Sequence, residues 1–355
     1  MESLAMAGGL SHEHWPAALL LLFLAAVAVH EVGHFLAGVA VGFHFNSIQI
    51  GPLFVEDSYG ALRAYFSLDM MALGYSAMYA DKARKLRRRL LIYIAGGPVA
   101  NLLCIIAVAV IGHLLPRSDS NLATAAGQFG AISLLLAMVS LLPIATTDGG
   151  LIEMLLTSPF AARRFISTVA LGAQFTQGVR ARNWRKTWIN AATYIPDKSR
   201  DDFYANWMAY LSASDRKDAV LSARHLECCL SLTPALTNRL RSLLAHEAVV
   251  HCAWSRRDLN LAERWLTQVK RRRLLAPIDR ARIQVALCCA RHNFDDAATT
   301  CEAALSLFQQ MPAKPYIRAL QESWVEWRTE IQERKTLLST SDFELNRNQE
   351  PMAVK

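Results

Sequence analysis

The sequence predicts an all-α membrane protein in which three transmembrane helices and a small interfacial β-hairpin precede a cytosolic α-helical domain. Three observations lead to this prediction. The chain has 355 residues, more than one compact domain usually contains. Hydrophobic residues make up 53% of it and charged residues 19%, which is too many charges for a protein embedded throughout. Glu31 is also the only charged residue between Glu13 and Glu56, so the apolar stretches are concentrated.

The three transmembrane helices are predicted at 15–43, 90–115 and 122–142. Each stretch supplies the roughly 20 apolar residues that cross a bilayer core about 30 Å thick. The first lacks the basic n-region of a signal peptide and is too long for one, so we expect it to be retained. Basic residues cluster at 82–89 and none precedes the first helix, which predicts an external N-terminus and a cytoplasmic C-terminal domain. The compact three-helix core favours a multi-pass protein of a bacterial inner membrane.

The net charge of +8 could indicate a nucleic-acid partner, but many of the cations lie beside apolar stretches, which predicts contact with the lipid bilayer and no nucleic-acid partner. The basic cluster at 82–89 adjoins an apolar stretch and has no interleaved aromatic residues, unlike a nucleic-acid surface. The seven cysteines show no metal-ligand spacing, and we expect them to be reduced and packed within helices.

The β-hairpin is predicted at 46–68, between the first two helices. Its residues partly alternate between apolar and polar side chains around a polar turn at 56–60. An open sheet edge cannot face lipid, because its backbone groups would find no hydrogen-bond partners there. We therefore expect the hairpin to lie at the membrane interface or against protein.

The most informative motif is His30-Glu31-Val32-Gly33-His34, inside the first predicted helix. Side chains four residues apart share a helix face, so both imidazoles can bind one zinc ion while the adjacent carboxylate acts on water. Ionisable groups within an apolar helix are costly and usually mark a functional site. The motif therefore predicts two zinc ligands, His30 and His34, and a base, Glu31.

A third zinc ligand is expected, because catalytic zinc usually has three protein ligands. Asp148 is the strongest candidate, since it follows the third apolar stretch and the helix-breaking Pro143 and precedes two glycines. A count of residues along the helices puts His30 and Asp148 near the same membrane surface. The second apolar stretch contains Gly-Gly-Pro-Val-Ala-Asn at 96–101. There, Asn101 is expected either to form an interhelical hydrogen bond or to act directly near the substrate.

Together these motifs resemble the site-2 proteases, a family of zinc-dependent intramembrane proteases. The resemblance depends on HEVGH at 30–34, GGPVAN at 96–101 and DGG at 148–150, and it covers about residues 15–160. It implies that one zinc ion per chain is bound, with these roles: zinc ligands His30, His34 and Asp148, catalytic base Glu31, and substrate-binding residue Asn101. Ser140 and Thr147 stand where the family usually has Asn and Leu.

The resemblance implies a metalloendopeptidase that cuts single-pass membrane proteins near their cytoplasmic ends. We expect the hairpin to receive the unwound substrate by strand addition, so that a proline at Gln49 would reduce cleavage. The alternative is a membrane-anchored adaptor with a vestigial metal site, which the complete ligand set argues against. A soluble zinc peptidase is disfavoured because residues 17–29 are apolar all round.

The rest of the chain is predicted to form a juxtamembrane helical linker at 161–198, a helical domain at 199–336 and a disordered tail at 337–355. In the helical domain, alanine precedes proline by 15 residues three times, a pattern typical of tetratricopeptide-like repeats. An irregular helical bundle is the alternative. A concave helical surface would suit a protein or peptide partner. The pairs are Ala219 and Pro234, Ala262 and Pro277, and Ala297 and Pro312.

Overall fold

The chain folds into two compact units. The first comprises Met1–Asp57 and Leu62–Ile166, and the second comprises Ser58–Ala61 and Ser167–Lys355. The sequence predicts a first domain at 1–160, and the division after Ile166 falls within the linker predicted at 161–198. The computed structural model describes these residues: 15–66, 74–114, 120–232, 238–269 and 275–347.

Three helices of the first unit are long and apolar enough to cross a membrane. They are α1 (Trp15–Ala40), α2 (Leu86–Leu114) and α3 (Ser120–Ser140). α1 ends earlier than predicted because Gly42 has a φ of +81°, which turns the chain into the first strand. Many large apolar side chains on these helices are exposed, as a lipid-facing surface requires, and Leu21 and Leu103 are 67% and 60% exposed.

The backbones of α1 and α2 are in contact at two glycines. A Cβ atom at Gly33 would lie 2.5 Å from the carbonyl oxygen of Gly96, and one at Gly96 would lie equally close to that of Gly33. Small residues allow this close approach between apolar helices. Arg89 in the first turn of α2 donates to the carbonyl oxygens of Val41 and Gly42 at 2.7 and 3.1 Å. These contacts fix one face of α1 against α2.

The predicted hairpin is part of a larger, four-stranded sheet with the order β3-β2-β1-β4. The prediction missed the turn at Gly51, where φ is +54°, and therefore merged two strands into one. It also missed the last strand, which pairs antiparallel with the first. Residues 67 and 68 of the predicted hairpin lie outside the described residues. The strands are β1 (Phe43–Ile50), β2 (Leu53–Ser58), β3 (Ala61–Phe66) and β4 (Gly74–Ala80).

This topology makes β1 an inner strand. Gln49 is paired with Phe54 of β2 on one side and with Tyr75 of β4 on the other. The expectation that substrate adds to the hairpin at Gln49 is therefore wrong, because β1 has no open edge. The edge strands of the sheet are β3 and β4.

Asp148 is the first residue of a short helix, α4 (Asp148–Thr157). Thr147 is the N-cap of this helix, and its Oγ1 accepts a hydrogen bond from the backbone N–H of Gly150 at 3.3 Å. Side chains at Gly149 or Gly150 would overlap the carbonyl groups of the turn that follows α3. The two glycines therefore allow α4 to begin directly beside the end of α3.

The second unit is built from helices. α5 (Pro159–Thr176) crosses the division between the units. The largest hydrophobic core of the second unit includes Trp254 and Trp327, whose rings stack with centroids 4.0 Å apart. A π-helical turn at His251–Ser255 follows α9. The remaining helices are α6 (Lys186–Ala192), α7 (Arg200–Asp215), α8 (Ala219–Ser231), α9 (Asn238–Val250), α10 (Leu259–Leu266), α11 (Pro277–Ala290), α12 (Phe294–Gln309) and α13 (Pro315–Arg347).

One kind of turn precedes α8, α10 and α12 of the second unit, and it also precedes α7, at Lys198 and Ser199. In each, a residue with positive φ precedes an N-cap whose side chain accepts a hydrogen bond from the backbone N–H three residues later. The N-caps of α8, α10 and α12 are 40 and 35 residues apart. The positive-φ residues and N-caps before these three helices are Lys217 and Asp218, Arg257 and Asp258, and His292 and Asn293.

The alanines of the predicted repeat fit this pattern in two helices of the three. Ala262 and Ala297 are fully buried in α10 and α12. Ala219 is exposed at the start of α8, and Ser222 takes the equivalent buried position there. The assignment to tetratricopeptide-like repeats stays a prediction, and Pro234 lies outside the described residues.

The last helix is longer than predicted. α13 continues to Arg347, so the predicted disordered tail at 337–355 is wrong for residues 337–347. That segment contains helix-forming Leu337, Leu338 and Glu344, and extending an existing helix needs no new nucleus. Residues 348–355 lie outside the described residues.

Candidate metal centre

His30 and His34 lie one turn apart on α1 and face α2. Their Nε2 atoms are 3.2 Å apart, and both residues are buried, with 6% and 7% of their surface exposed. The contact at Gly33 and Gly96 brings α2 against this face. The first two predicted ligands therefore point toward one position in the protein interior.

Asp148 reaches the same position from the first turn of α4. Its Oδ2 lies 3.0 Å from Nε2 of His30, and its Oδ1 lies 3.4 Å from Nε2 of His34. In the part of the chain that the structure describes, no other group of three His, Cys, Asp or Glu side chains brings its ligand atoms together in this way. The fold thus joins a carboxylate to two imidazoles from 118 and 114 residues earlier.

These three side chains fit a zinc ion. Zinc binds imidazole nitrogen and carboxylate oxygen at about 2.0–2.2 Å in a tetrahedral arrangement, which places its ligand atoms roughly 3.3–3.5 Å apart. The observed separations between the ligand atoms are 3.0, 3.2 and 3.4 Å. Three protein ligands leave a fourth position open, as in catalytic rather than structural zinc sites.

Glu31 lies beside this cluster and is also buried. Its Oε2 has no hydrogen-bond partner among the described residues. Burying a carboxylate oxygen without a hydrogen-bond partner costs free energy, so we expect a further polar group to bind beside Oε2. Strand β4 begins against it, because a Cβ atom at Gly74 would lie 2.8 Å from Cγ1 of Val27 and closer still to Oε1 of Glu31. β4 therefore forms one wall of the site.

Gly97 of α2 forms another wall, and it leaves the space between the ligands open. A Cβ atom there would lie 2.7 Å from Nε2 of His30 and closer still to Nε2 of His34. Any side chain at this position would occupy the volume that a metal ion needs.

This centre lies largely within a segment that matches a known family. Residues 18–129 match the model of peptidase family M50. This is the site-2 protease family, so the resemblance drawn from the motifs is confirmed for that part of the chain. The match includes HEVGH at 30–34 and GGPVAN at 96–101, whereas Asp148 lies beyond it. No curated protein and no solved structure matches the chain.

The M50 match and the three apolar helices together support a membrane metalloprotease. The family's members are generally zinc-dependent, in agreement with the donor atoms of this site. The match covers less than a third of the chain, and the second unit lies outside it.

Two further residues of the M50 segment contact the histidines on the side away from Asp148. Nδ1 of His34 lies 3.0 Å from the carbonyl oxygen of Tyr93. A carbonyl only accepts, so this contact requires a hydrogen on Nδ1, the tautomer in which the lone pair of Nε2 is free to bind a metal. The backbone nitrogen of Gly97 lies 3.3 Å from the same Nδ1. Asn101, which is fully buried, places its side-chain amide 3.2 Å from Nδ1 of His30.

The structure brings His30, His34 and Asp148 together and places Glu31 beside them. The predicted substrate-binding role of Asn101 stays a prediction. Sequence reasoning missed three contributors to the site, Tyr93, Gly74 and Gly97. Tyr93 acts through a backbone carbonyl, which leaves no signal in the sequence. Nothing near Gly74 suggested contact with Glu31. Gly97 did have a signal in the GGPVAN motif, which we interpreted only as helix packing.

Proposed function

We propose that this protein is a zinc-dependent endopeptidase that hydrolyses peptide bonds within or near the transmembrane segments of single-pass membrane proteins. The observation that carries the proposal is the convergence of two Nε2 atoms and a carboxylate at 3.0–3.4 Å, beside the unpartnered carboxylate of Glu31. Two of these ligands are on a helix that is apolar enough to cross a membrane. The M50 match over residues 18–129 supports the same chemical class.

The chemistry follows from the residues around the site. A zinc ion held by His30, His34 and Asp148 would supply a Lewis acid that activates water and polarises the scissile carbonyl. Glu31 accepts the proton of the attacking water and returns it to the nitrogen of the leaving amine, which regenerates the carboxylate. Its unpartnered Oε2 supports this role, because no described hydrogen bond must be broken before it can take a proton.

We also propose the orientation in the membrane. The basic cluster at 82–89 adjoins the start of α2, which favours a cytoplasmic position for that end and an external N-terminus. His30 is 15 residues into α1, or about 22 Å at 1.5 Å per residue, which places the site in the cytoplasmic third. The second unit then lies in the cytoplasm of a bacterial cell with this protein in its inner membrane, where it is available to a protein or peptide partner.

We propose β4 as the strand that binds the unwound substrate segment. β4 is an edge strand, and its first residue contacts Glu31. The carbonyl of Ser76 accepts a hydrogen bond from the hydroxyl of Tyr93 at 2.8 Å, so the backbone groups of Ser76 face away from β1. Strand addition at such an edge supplies main-chain hydrogen bonds to an extended peptide whatever its sequence.

A proline at Ser76 tests this role of β4. It removes an outward N–H group and leaves the pairing with β1 in place, because proline is tolerated on the open side of an edge strand. Ser76→Pro should lower cleavage at least about tenfold with unchanged zinc content, as expected for the loss of about 1.4 kcal/mol or more of binding. Ser76→Ala is the matched control and should cleave normally. Normal cleavage by the proline variant would exclude β4 as the binding strand.

The protease proposal is tested with Glu31→Gln and Asp148→Asn in cells that express a panel of tagged single-pass membrane proteins. Glu31→Gln should bind zinc and lose about 10²–10⁴-fold in cleavage rate, because only the base is removed. Asp148→Asn should lose zinc as well. Glu153→Gln is the matched control, since Glu153 is an exposed carboxylate of the same α4 helix.

Two outcomes would contradict the proposal. Processing of every substrate by both Glu31→Gln and Asp148→Asn would show that this site does not catalyse the cleavage. A parent protein that binds no zinc after metal loading would favour the alternative, a membrane-anchored adaptor with a vestigial metal site.

A further inference from the structure

Asn101 is buried completely at the back of the metal centre. It lies on α2, one turn after Gly97, and its amide group is 3.2 Å from Nδ1 of His30. No part of its side chain is exposed, so it cannot touch a substrate in this arrangement. Its neighbour in the structure is a predicted zinc ligand.

The two histidines are held in parallel ways. Nδ1 of His34 lies 3.0 Å from the backbone carbonyl oxygen of Tyr93, an acceptor that is fixed by helix α2. The corresponding Nδ1 of His30 has the Asn101 amide as its partner. An imidazole that binds a metal through Nε2 carries its hydrogen on Nδ1, and that hydrogen needs an acceptor.

A carboxamide can supply this acceptor because its two ends are nearly equal in size. The Asn101 Nδ2 faces His30, while Oδ1 is buried without a partner among the described residues. A half-turn of the amide exchanges the two atoms within the same space, and Oδ1 then accepts the hydrogen of Nδ1. The unpartnered Oδ1 of Asn101 would then be the acceptor that the Nδ1–H of His30 requires.

We propose that Asn101 is a positioning residue for His30: its Oδ1 accepts Nδ1–H and so holds the lone pair of Nε2 toward the metal. This inference rests on the proposed zinc site and assigns Asn101 a role in metal affinity rather than in substrate binding. Outer contacts of this kind typically contribute about 10–100-fold to metal affinity.

Zinc affinity of the full-length protein in detergent, measured by competition with a chelator of known affinity, tests the assignment. Asn101→Leu keeps a similar volume and removes the acceptor, and it should bind zinc about 10–100-fold more weakly. Asn101→Asp retains an acceptor oxygen and should stay within about threefold of the parent, a smaller change than that expected for Asn101→Leu. If the leucine variant does not fold, Asn101→Ala removes the same acceptor and takes its place.

Ser133→Ala is the matched control for the loss of a buried polar group. Ser133 is fully buried in α3, and its Oγ has no partner among the described residues. This variant should bind zinc like the parent. The visible spectrum of the cobalt-loaded protein gives a second readout, because a freed His30 ring would change the geometry around the ion in Asn101→Leu and not in Asn101→Asp.

The outcomes separate this inference from the proposed function. Parent-like zinc affinity in Asn101→Leu or Asn101→Ala would overturn the positioning role, even if cleavage falls, and would favour a contact with substrate. Equal weakening in the aspartate and leucine variants would also overturn it, since it would show that packing rather than the acceptor matters. A parent without zinc would overturn the proposed function and this inference with it.

Discussion

The two units differ in how their buried polar groups are satisfied. In the second unit, the carboxylate of Glu247 accepts hydrogen bonds from Arg282 at 2.5 Å and from Tyr210 at 3.0 Å. Burial alone would raise the pKa of Glu247, but the Arg282 guanidinium and these bonds hold it below the ordinary value. In the first unit, two imidazoles and the Asp148 carboxylate converge on one point instead, and Oε2 of Glu31 lacks a partner among the described residues. The cluster of the second unit is complete as a protein structure, whereas the cluster of the first unit has the donor atoms to hold a cation.

Buried polar atoms without hydrogen-bond partners do not by themselves identify a metal site. The ring nitrogens of His246 and His251 in the second unit also lack hydrogen-bond partners among the described residues. No third ligand converges on them in the part of the chain that the structure describes, whereas Asp148 completes the group around His30 and His34. Convergence of several donor atoms is therefore the feature that separates a candidate ligand site from buried histidines that only fill space.

The largest effect is expected from filling the metal position. Gly97→Ala introduces a Cβ atom 2.7 Å from Nε2 of His30, in the space between the ligands. Zinc affinity should fall more than about 100-fold, beyond the cost of losing an outer contact. Gly112→Ala changes the same residue type on the same helix, and its Cβ would meet nothing within 4 Å. Chelator competition should show parent-like affinity for that control; equal affinity in both variants would mean that the ion is not bound between these side chains.

The second prediction concerns the hydrogen-bonded cluster of Glu247, Arg282 and Tyr210 in the second unit. Arg282→Met leaves the buried Glu247 carboxylate without its cation, which should lower the free energy of unfolding by about 3–5 kcal/mol. Seven of the eight tryptophans lie at residue 184 or later, so guanidinium unfolding followed by tryptophan fluorescence reports on this unit. Zinc affinity should not change. The double variant Glu247→Leu, Arg282→Met should recover most of the stability, and if it does not, the pair contributes more than charge compensation.

The buried histidines of the second unit should make its stability depend on pH. Burial lowers the pKa of His246 and of His251 from 6.5, with the remaining shift of His246 set by Glu247, Arg282 and Asp279. Below pH 6.5 the unfolded chain therefore binds protons that the folded chain does not, and stability falls as the pH falls. The loss should not exceed about 1.4 kcal/mol per pH unit for each histidine.

Guanidinium unfolding at about pH 7.5, 6.5 and 5.5, on both sides of the ordinary histidine pKa, measures this dependence. His246→Gln should have a flatter profile than the parent, because one of the histidines with a lowered pKa is gone. His292→Gln is the matched control, since His292 is an exposed histidine for which no such burial exists. A parent profile that stays flat across this range would contradict the prediction.

The sequence predicts the side chains of the candidate metal centre better than it predicts the residues packed around them. HEVGH predicts two ligands and a base from helix periodicity alone. Asp148 is the first charged residue after the long apolar stretch that follows Asp119, and a carboxylate in such a place usually serves a polar site. The contacts of Tyr93 and Gly74 were not predictable, because each depends on which elements the fold brings together. Every residue has a backbone carbonyl, and glycine has no side chain, so neither indicates a role at the site until its neighbours in the fold are known.

The errors in the fold have the same origin. Strand β4 pairs with β1 across a long stretch of chain, and no local pattern in residues 74–80 marks that pairing. The turn at Gly51 was overlooked because the polar turn at 56–60 offered a simpler hairpin. The recurrent turns of the second unit left clear N-cap signals at Asp218, Asp258 and Asn293, but the alanine and proline spacing was the pattern that we followed.

The smallest effect should come from helix caps, which the two units use differently. Thr147 caps α4 through its bond to Gly150, and it thereby orients Asp148 at the first helical position. Asp258 caps α10 of the second unit in the same way, through its bond to the backbone N–H of Leu261. Removing either acceptor, with Thr147→Val or Asp258→Ala, should cost about 1 kcal/mol. Only the first should also weaken zinc binding, by up to about tenfold, because the strain falls on a ligand.

Chelator competition and fluorescence-monitored unfolding on both variants complete this comparison. Asp258→Ala should shift the unfolding of the second unit and leave zinc affinity unchanged. Thr147→Val should weaken zinc binding and leave the unfolding of the second unit unchanged, since its bond to Gly150 lies within the first unit. Ser158→Ala, at the opposite end of α4, controls for a lost hydroxyl and should change neither quantity. If Thr147→Val keeps its zinc affinity, the position of Asp148 is set by the close packing of Gly149 and Gly150 rather than by the cap, and the glycines become the residues to vary.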